Sequence, residues 1–388
     1  MRILLTTYVV NNATSGVVKY LQTLQNALQE RGHSVQVLTP FDAPRWVRLI
    51  TGALVRTASP FGRTAQQLAI EIGSFVRMYF GVRTNANSPD IIHGMDVASG
   101  TAAKLAAGAR TPVLVTAHFS IHPLYEMMER DYQGGTAPWA FRWLFQRFFL
   151  QVRNYIAPSQ FSAKSVQEHA GPRALVRVIP HGIDLEPEES WKLAAASSLD
   201  GGKQVILTVG RLDKLKNHIK LLDIAEESKD SAVVFAIVGD GPQEACLKAE
   251  IKRRQLEGKV LLLGSRNDVP ALMHASRLYM YVAKCESFGY TIIEAMSAGL
   301  PVLTSRAGAV VEILSGGLEE CLFDLADSPA AIWARAKEML AEDGPRRSVI
   351  EKQRRILLER HSMQGMIDKT EEFYRELVEA RNDRLNHE

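Results

Sequence analysis

Short apolar runs alternate with helical patterns along almost the whole of this chain, and that alternation constrains its fold more than any other feature. Arg2 to Val9 is a mostly apolar run, Gly16 to Arg31 has helical periodicity, and Ser34 to Thr39 returns to a strand pattern, so the chain opens as a β-α-β unit. Asp90 to His93, Pro112 to Ala117, Tyr155 to Pro158 and Arg177 to Pro180 continue the series. Strands separated by helices must run parallel, with helices covering both faces of the sheet. From Asp184 to Gly202 the pattern lapses into Glu-Pro-Glu-Glu, small residues and Asp-Gly-Gly, the composition of a linker. A second α/β series follows, with strands expected at Gln204 to Gly210, Val233 to Gly239, Val260 to Gly264, Leu278 to Ala283 and Pro301 to Thr304.

The expected organisation is therefore a first domain over residues 1–190, a second over 200–360, and a helical tail over 361–388 that packs back on the first. A chain of 388 residues, 46% hydrophobic and 23% charged, is long enough for two such cores and far from the composition of disorder. The net charge of +3 gives no reason to expect nucleic acid as a partner. Cys246, Cys285 and Cys321 are widely spaced and fit a reducing cytoplasm. No stretch reaches the roughly 18 apolar residues that a spanning helix requires, which restricts membrane contact to peripheral attachment.

One segment interrupts the first series. Between Phe41 and Asn87, the part from Ala43 to Ile70 carries Arg45, Arg48, Arg56 and Arg63 among Trp46, Leu49, Ile50 and Phe61, and no acid. Two readings fit: a surface helical hairpin packing its apolar face on the domain, or a basic, apolar surface for an anionic membrane. The aromatic stretch from Trp139 to Arg153 reads as core.

In open parallel sheets ligands bind beyond the carboxyl ends of the strands, so the loops there carry the candidate chemistry. The loop after the first strand ends in Ser15-Gly16, where a glycine at a helix N-terminus allows close approach of a phosphate. After the first strand of the second half, Gly210-Arg211-Leu212 leads to Lys216, and Asn217 is expected to cap the next helix. Two cations at a strand end can stabilise charge growing on a departing diphosphate. Glu286-Ser287-Phe288-Gly289-Tyr290-Thr291 opens another helix, and Glu294 follows one turn along. The helix N-terminus suits phosphate, and the two carboxylates suit sugar hydroxyls. His93 and His122 read as structural histidines, and Val238-Gly239-Asp240-Gly241-Pro242 as a structural turn with Pro242 in a helix's first turn. The chain contains no Asp-x-Asp pair and no histidine spacing that suggests a metal site.

Taken together, the two glutamates spaced E-x7-E around Phe288-Gly289, the Gly210-Arg211-Leu212 and Lys216 pair, Val238 to Pro242, and Val178-Ile179-Pro180-His181-Gly182-Ile183-Asp184 closely resemble family 4 of the nucleotide-sugar glycosyltransferases. The resemblance implies the GT-B fold, in which two Rossmann-like domains with parallel sheets face each other across a cleft. It implies retaining transfer from a nucleotide-sugar donor, such as a UDP-sugar, to a sugar, lipid-linked or small-molecule acceptor. The missing Asp-x-Asp pair beside the Arg211 and Lys216 cations leads us to expect that transfer without cofactor or metal. Arg211 and Lys216 would hold the diphosphate, with Gly16 contributing its backbone. Glu286 would contact the donor sugar, Phe288, Gly289, Tyr290 and Thr291 would cradle sugar and phosphate, and Glu294 would bind ribose. His118 corresponds to the active-site histidine of the first domain. This chain departs from the family pattern at Ser15, where a glycine is usual, and at Phe119, where an aspartate often follows the histidine. A non-catalytic sugar-nucleotide-binding subunit, or a phosphorylase or epimerase of the same fold, are the alternatives.

Overall fold

The apolar runs fold into two six-stranded, wholly parallel sheets, one in each of two units. A computed structural model of the chain describes residues 1–8, 16–108, 110–119, 139–185, 202–341 and 345–387. The first unit comprises Met1–Ile179 together with Met366–Glu388, and the second Pro180–Gly365.

In the first unit the strands are β1 (Arg2–Thr6), β2 (Ser34–Leu38), β3 (Ile91–Gly94), β4 (Val113–Thr116), β5 (Asn154–Ala157) and β6 (Leu175–Val178), in the order β2-β1-β3-β4-β5-β6. The helices are α1 (Gly16–Glu30), α2 (Arg45–Ala58), α3 (Arg63–Asn85), α4 (Val97–Ala107), α5 (Trp139–Gln151) and α6 (Gln160–Ala170). The residues of the inner strands β1, β3, β4 and β5 are almost all buried, as a sheet covered by helices requires, while the edge strands β2 and β6 are partly exposed. The insertion is a helical hairpin: α3 sends Met78 and Val82 into the core beside Leu4, Leu38 and Ile92, and α2 lies on α3 through Val47 and Thr51. Among its described side chains, helix α5 is less buried than its composition suggests. Phe149 is enclosed and Phe148 stacks on Phe75, but Trp143 is 60% exposed and Leu150 49%.

The second unit has β7 (Gln204–Val209), β8 (Val233–Val238), β9 (Val260–Gly264), β10 (Leu278–Tyr281), β11 (Val302–Ser305) and β12 (Leu322–Phe323), ordered β12-β11-β10-β7-β8-β9. Its helices are α7 (His218–Glu227), α8 (Glu244–Arg253), α9 (Val269–Ala275), α10 (Tyr290–Ser297), α11 (Val310–Leu314), α12 (Pro329–Leu340) and α13 (Pro345–Arg360). The chain builds outward from β7 to β9, then returns to β10 on the other side of β7. The direction of winding therefore reverses between β7 and β10, and ligands of open parallel sheets bind beyond the carboxyl ends of the strands at such a reversal.

The first unit ends at Ile179, short of the expected residue 190, because the following segment packs within the second unit. Ile183 N–H donates to the His361 carbonyl (2.8 Å), and Ser297 Oγ donates to the Asp184 carbonyl (3.1 Å). The last helix, α14 (Met363–His387), returns to the first unit from Met366 onward. There Tyr374 reaches His93, and Glu371 accepts from Arg31 (2.7 Å) and pairs with His33 (2.6 Å).

Candidate active site

The reversal point between β7 and β10 gathers most of the residues singled out from the sequence. Past β7 the chain makes a tight loop, Gly210 to Asn217, in which Asp213 Oδ1 accepts from the N–H groups of both Leu215 and Lys216 at 3.0 Å. That turn brings Lys216 back over the sheet. Asn217 stands at the N-cap position of α7, but its side chain does not cap: its backbone is left-handed (φ 54°) and its amide instead donates to the Val282 carbonyl at 3.3 Å. Lys284 N–H bonds the Leu215 carbonyl (2.7 Å), so the loops after β7 and β10 are tied together.

Lys216 Nζ lies 2.5 Å from Glu286 Oε2 and donates to the Tyr281 hydroxyl at 2.6 Å, and Tyr281 in turn donates to the same carboxylate oxygen. The other oxygen of Glu286 accepts from Ser287 N–H at 3.0 Å, with Phe288 N–H at 3.5 Å. Burial works to raise the Glu286 pKa, but the Lys216 ammonium and the Tyr281 hydroxyl outweigh it and hold the carboxyl below the usual glutamate range. Burial likewise opposes the charge on Lys216, and Glu286 with Asp213 reverses the effect, so the ammonium lies above its ordinary range. Both groups are therefore ionised at neutral pH. Arg211 stands at the outer lip of the loop, its side chain 41% exposed and its Nε 3.8 Å from Asp213.

Gly289 adopts φ +93° at the N-cap of α10, a conformation that favours glycine; a Cβ here would also come within 2.9 Å of Ile292. The turn it makes sets the N-terminus of α10, with Tyr290 and Thr291, at the carboxyl end of the sheet. Thr291 Oγ1 receives a hydrogen bond from Tyr279 (2.7 Å), and the half-buried Glu294 is close enough to Tyr279 to act on its ionisation. Tyr290 donates to the Gly182 carbonyl (3.3 Å), and Phe288 packs edge-on against His181, with ring centroids 4.7 Å apart. Gly182 is a glycine for a spatial reason: a Cβ would fall 2.5 Å from the Ser362 carbonyl oxygen.

The Val238 to Pro242 motif supports the site from beneath. A Cβ on Gly239 would lie 2.0 Å from the Gly210 oxygen, and one on Gly241 2.5 Å from that of Leu212. These glycines let the β8 loop press against the Arg211 loop, where the backbone also bonds from Leu212 N–H to Asp240 (2.7 Å). Pro242 precedes α8, which begins at Glu244, so it sits in the turn before the helix and not in its first turn.

Gly16 and His118 belong to the first unit. Gly16 begins α1, while the loop before it, Ser15 included, lies outside the described residues. His118 follows β4 and meets Tyr20 edge-on (5.1 Å), and desolvation pushes its pKa down to about 3, leaving a neutral imidazole. His93 is enclosed between Tyr374 and Thr116, each 2.6 Å from a ring nitrogen, in keeping with a structural role. His122 lies outside the described residues.

Sequence reading overlooked Asp213, Tyr279 and Tyr281. The last two carried a signal: they alternate with Leu278 and Met280 in a strand of otherwise apolar side chains, where a buried hydroxyl needs a partner.

The chain is similar to known glycosyltransferases over most of its length. Residues 14–187 match the family described as Glycosyltransferase Family 4, and residues 189–356 match Glycosyl transferases group 1. The D-inositol 3-phosphate glycosyltransferase of Nocardiopsis dassonvillei is 28% identical over 357 residues, covering 84% of this chain and 82% of that protein. N-acetyl-alpha-D-glucosaminyl L-malate synthase of Bacillus anthracis is 27% identical over 44% of the chain and 47% of its own length. Among solved structures, HepE of Anabaena, crystallised with UDP and glucose, superposes with a TM-score of 0.71 over 96% of this chain and 99% of its own at 20% identity.

Proposed function

The chain belongs to glycosyltransferase family 4, and on that premise we propose that it moves a sugar from a nucleoside-diphosphate donor to an acceptor hydroxyl with retention of configuration and without a metal. The observation that carries this reading is the group at the β7–β10 reversal point: Arg211 and the ion-paired Lys216 and Glu286, set beside the N-terminus of α10. Arg211, Lys216 and the helix N-terminus supply positive charge for a diphosphate. As the bond between the sugar carbon and the β-phosphate oxygen breaks, negative charge grows on that oxygen, and the two cations stabilise it. The acceptor oxygen bonds to the same face of the sugar that the phosphate leaves, and its proton passes to the departing phosphate. Glu286 Oε1, bonded to fewer strong donors than Oε2, is the oxygen offered to a sugar hydroxyl, and Glu294 is assigned to ribose. Gly16 is assigned to donor phosphate, and His118 serves the transfer as a neutral imidazole. UDP in the HepE structure supports a UDP-sugar as donor.

A chelation experiment tests the metal-free reading. Turnover is expected to survive exhaustive chelation, with the product sugar keeping the donor's anomeric configuration by NMR. Loss of most activity in chelator, restored by magnesium or manganese, overturns it.

No helix among the described residues is long and apolar enough to cross a membrane. We assign the protein to the cytoplasmic side, attached peripherally to an anionic membrane that carries or borders its acceptor. This reading is supported by α2, whose outward side bears Leu49, Ile50 and Leu54 beside exposed Arg45, Arg48 and Arg56, with Trp46 at its edge against Phe80 of α3.

A further inference from the structure

The phenols of β10 are the part of this site that the proposed chemistry does not use. Residues two apart in a strand share a face, so Tyr279 and Tyr281 stand side by side, their rings 6.2 Å apart and within 16° of parallel. Both are buried, at 0% and 3% exposure. An aliphatic side chain would serve the sheet's core equally well at either place, whereas a buried hydroxyl is costly without a partner. Each of these hydroxyls has partners, and they lie in different halves of the site. Tyr281 accepts from Lys216 and donates to Glu286 Oε2. Tyr279 donates to Thr291 Oγ1, with the Val209 carbonyl at 3.2 Å. Burial raises the pKa of both phenols, so each keeps its proton for donation.

We propose that the stacked Tyr279–Tyr281 pair is a positioning element of the donor site, Tyr281 setting the sugar end through Glu286 and Lys216 and Tyr279 setting the phosphate and ribose end through Thr291. The proposal rests on the donor-site reading given under Proposed function. A lysine ammonium has three N–H groups. Glu286 and Tyr281 take two, which directs the third toward a ligand oxygen. Without the Tyr281 hydroxyl, Lys216 and Glu286 remain an ion pair but lose the third point that fixes their orientation on the sheet. Without the Tyr279 hydroxyl, the first turn of α10 loses its anchor to β10.

Tyr281→Phe and Tyr279→Phe keep ring, shape and stacking while removing one hydroxyl each. The measurements are calorimetric Kd for UDP, GDP and ADP, using the tightest binder thereafter, together with kcat, KM and Tm. Hydrogen bonds to ionised groups justify an expected loss of about tenfold or more in kcat for Tyr281→Phe; because Lys216 also holds the diphosphate, its Kd weakens too, by about threefold, several times less than the loss in kcat. Tyr279→Phe is expected to show the reverse, Kd weakened about fivefold or more and kcat at saturation within roughly threefold. General loosening of the fold would instead change both quantities alike in both variants. That result, or no change in either variant, overturns the proposal. Failure of the unaltered protein to bind any nucleoside diphosphate would overturn the donor-site reading itself, a separate outcome.

Discussion

At the scale of single residues, the site depends on atoms that are not there. Gly239 has φ +138° and no side chain, and both properties are needed because the Gly210 oxygen occupies the place of its Cβ. Gly239→Ala forces the β8 loop off the Arg211 loop or strains its own backbone. We expect a loss of roughly 2–4 kcal/mol in stability, read as a lowered Tm, together with weaker nucleoside-diphosphate binding as Arg211 shifts. Unchanged Tm and Kd would show that the loop relaxes freely. The charged residues follow similar logic. Glu286 and Lys216 are each poor candidates for burial alone, yet together, with Tyr281, each keeps its charge in a largely enclosed place.

At the scale of elements, α2 has two apolar sides. Val47 and Thr51 face α3 and Trp46, though 53% exposed, meets Phe80 of α3 edge-on, while Ile50 and Leu54 lie on the outer side at 62% and 43% exposure. A helix that serves only its own domain buries one stripe and shows a polar face. Here the second face is apolar and flanked by arginines, with no acid between residues 43 and 70. Each basic residue at an anionic lipid surface contributes about 1 kcal/mol, so replacing Arg45, Arg48 and Arg56 with Gln should weaken binding to anionic vesicles on the order of a hundredfold. Flotation with phosphatidylglycerol and phosphatidylcholine vesicles at low salt is the measurement. Equal recovery with both lipids, or no dependence on the arginines, removes the membrane reading and leaves the hairpin as a packing element.

At the scale of the whole molecule, the chain leaves the first unit at Ile179, completes the second, and returns from Met366 to finish the first. Helix α14 is therefore a part of the first unit supplied from the far end of the sequence. Its Tyr374 hydroxyl is 2.6 Å from the Nδ1 of a fully buried His93, and its Glu371 gathers Arg31 and His33. Tyr374→Phe leaves His93 with a buried nitrogen unpaired, at a cost of about 1–3 kcal/mol. In thermal unfolding the first unit should weaken, while the second unit's transition and its nucleoside-diphosphate affinity hold. Equal weakening of both transitions would contradict this assignment.

The sequence by itself determined the elements and the residue types that stand at the ends of their strands. Alternating apolar runs and helical patterns are local signals, so two parallel α/β units, the Arg211 and Lys216 loop, and the Glu286 to Glu294 helix start were all legible from residue types and spacing. Tertiary structure alone decided which side chains meet. Tyr281 touches Lys216 from 65 positions away, and Gly239 is required by a carbonyl in another loop; the sequence can mark such residues as unusual but does not name their partners. The αL turn at Asn217 was misread for the same reason, since its amide answers to Val282 on the adjoining strand end and not to its own helix. The domain boundary at Pro180 likewise follows from bonds to residues 297 and 361, far along the chain. Periodicity records what a residue does for its own element, whereas a site is made where loops from neighbouring strands converge, and that convergence is set by strand order.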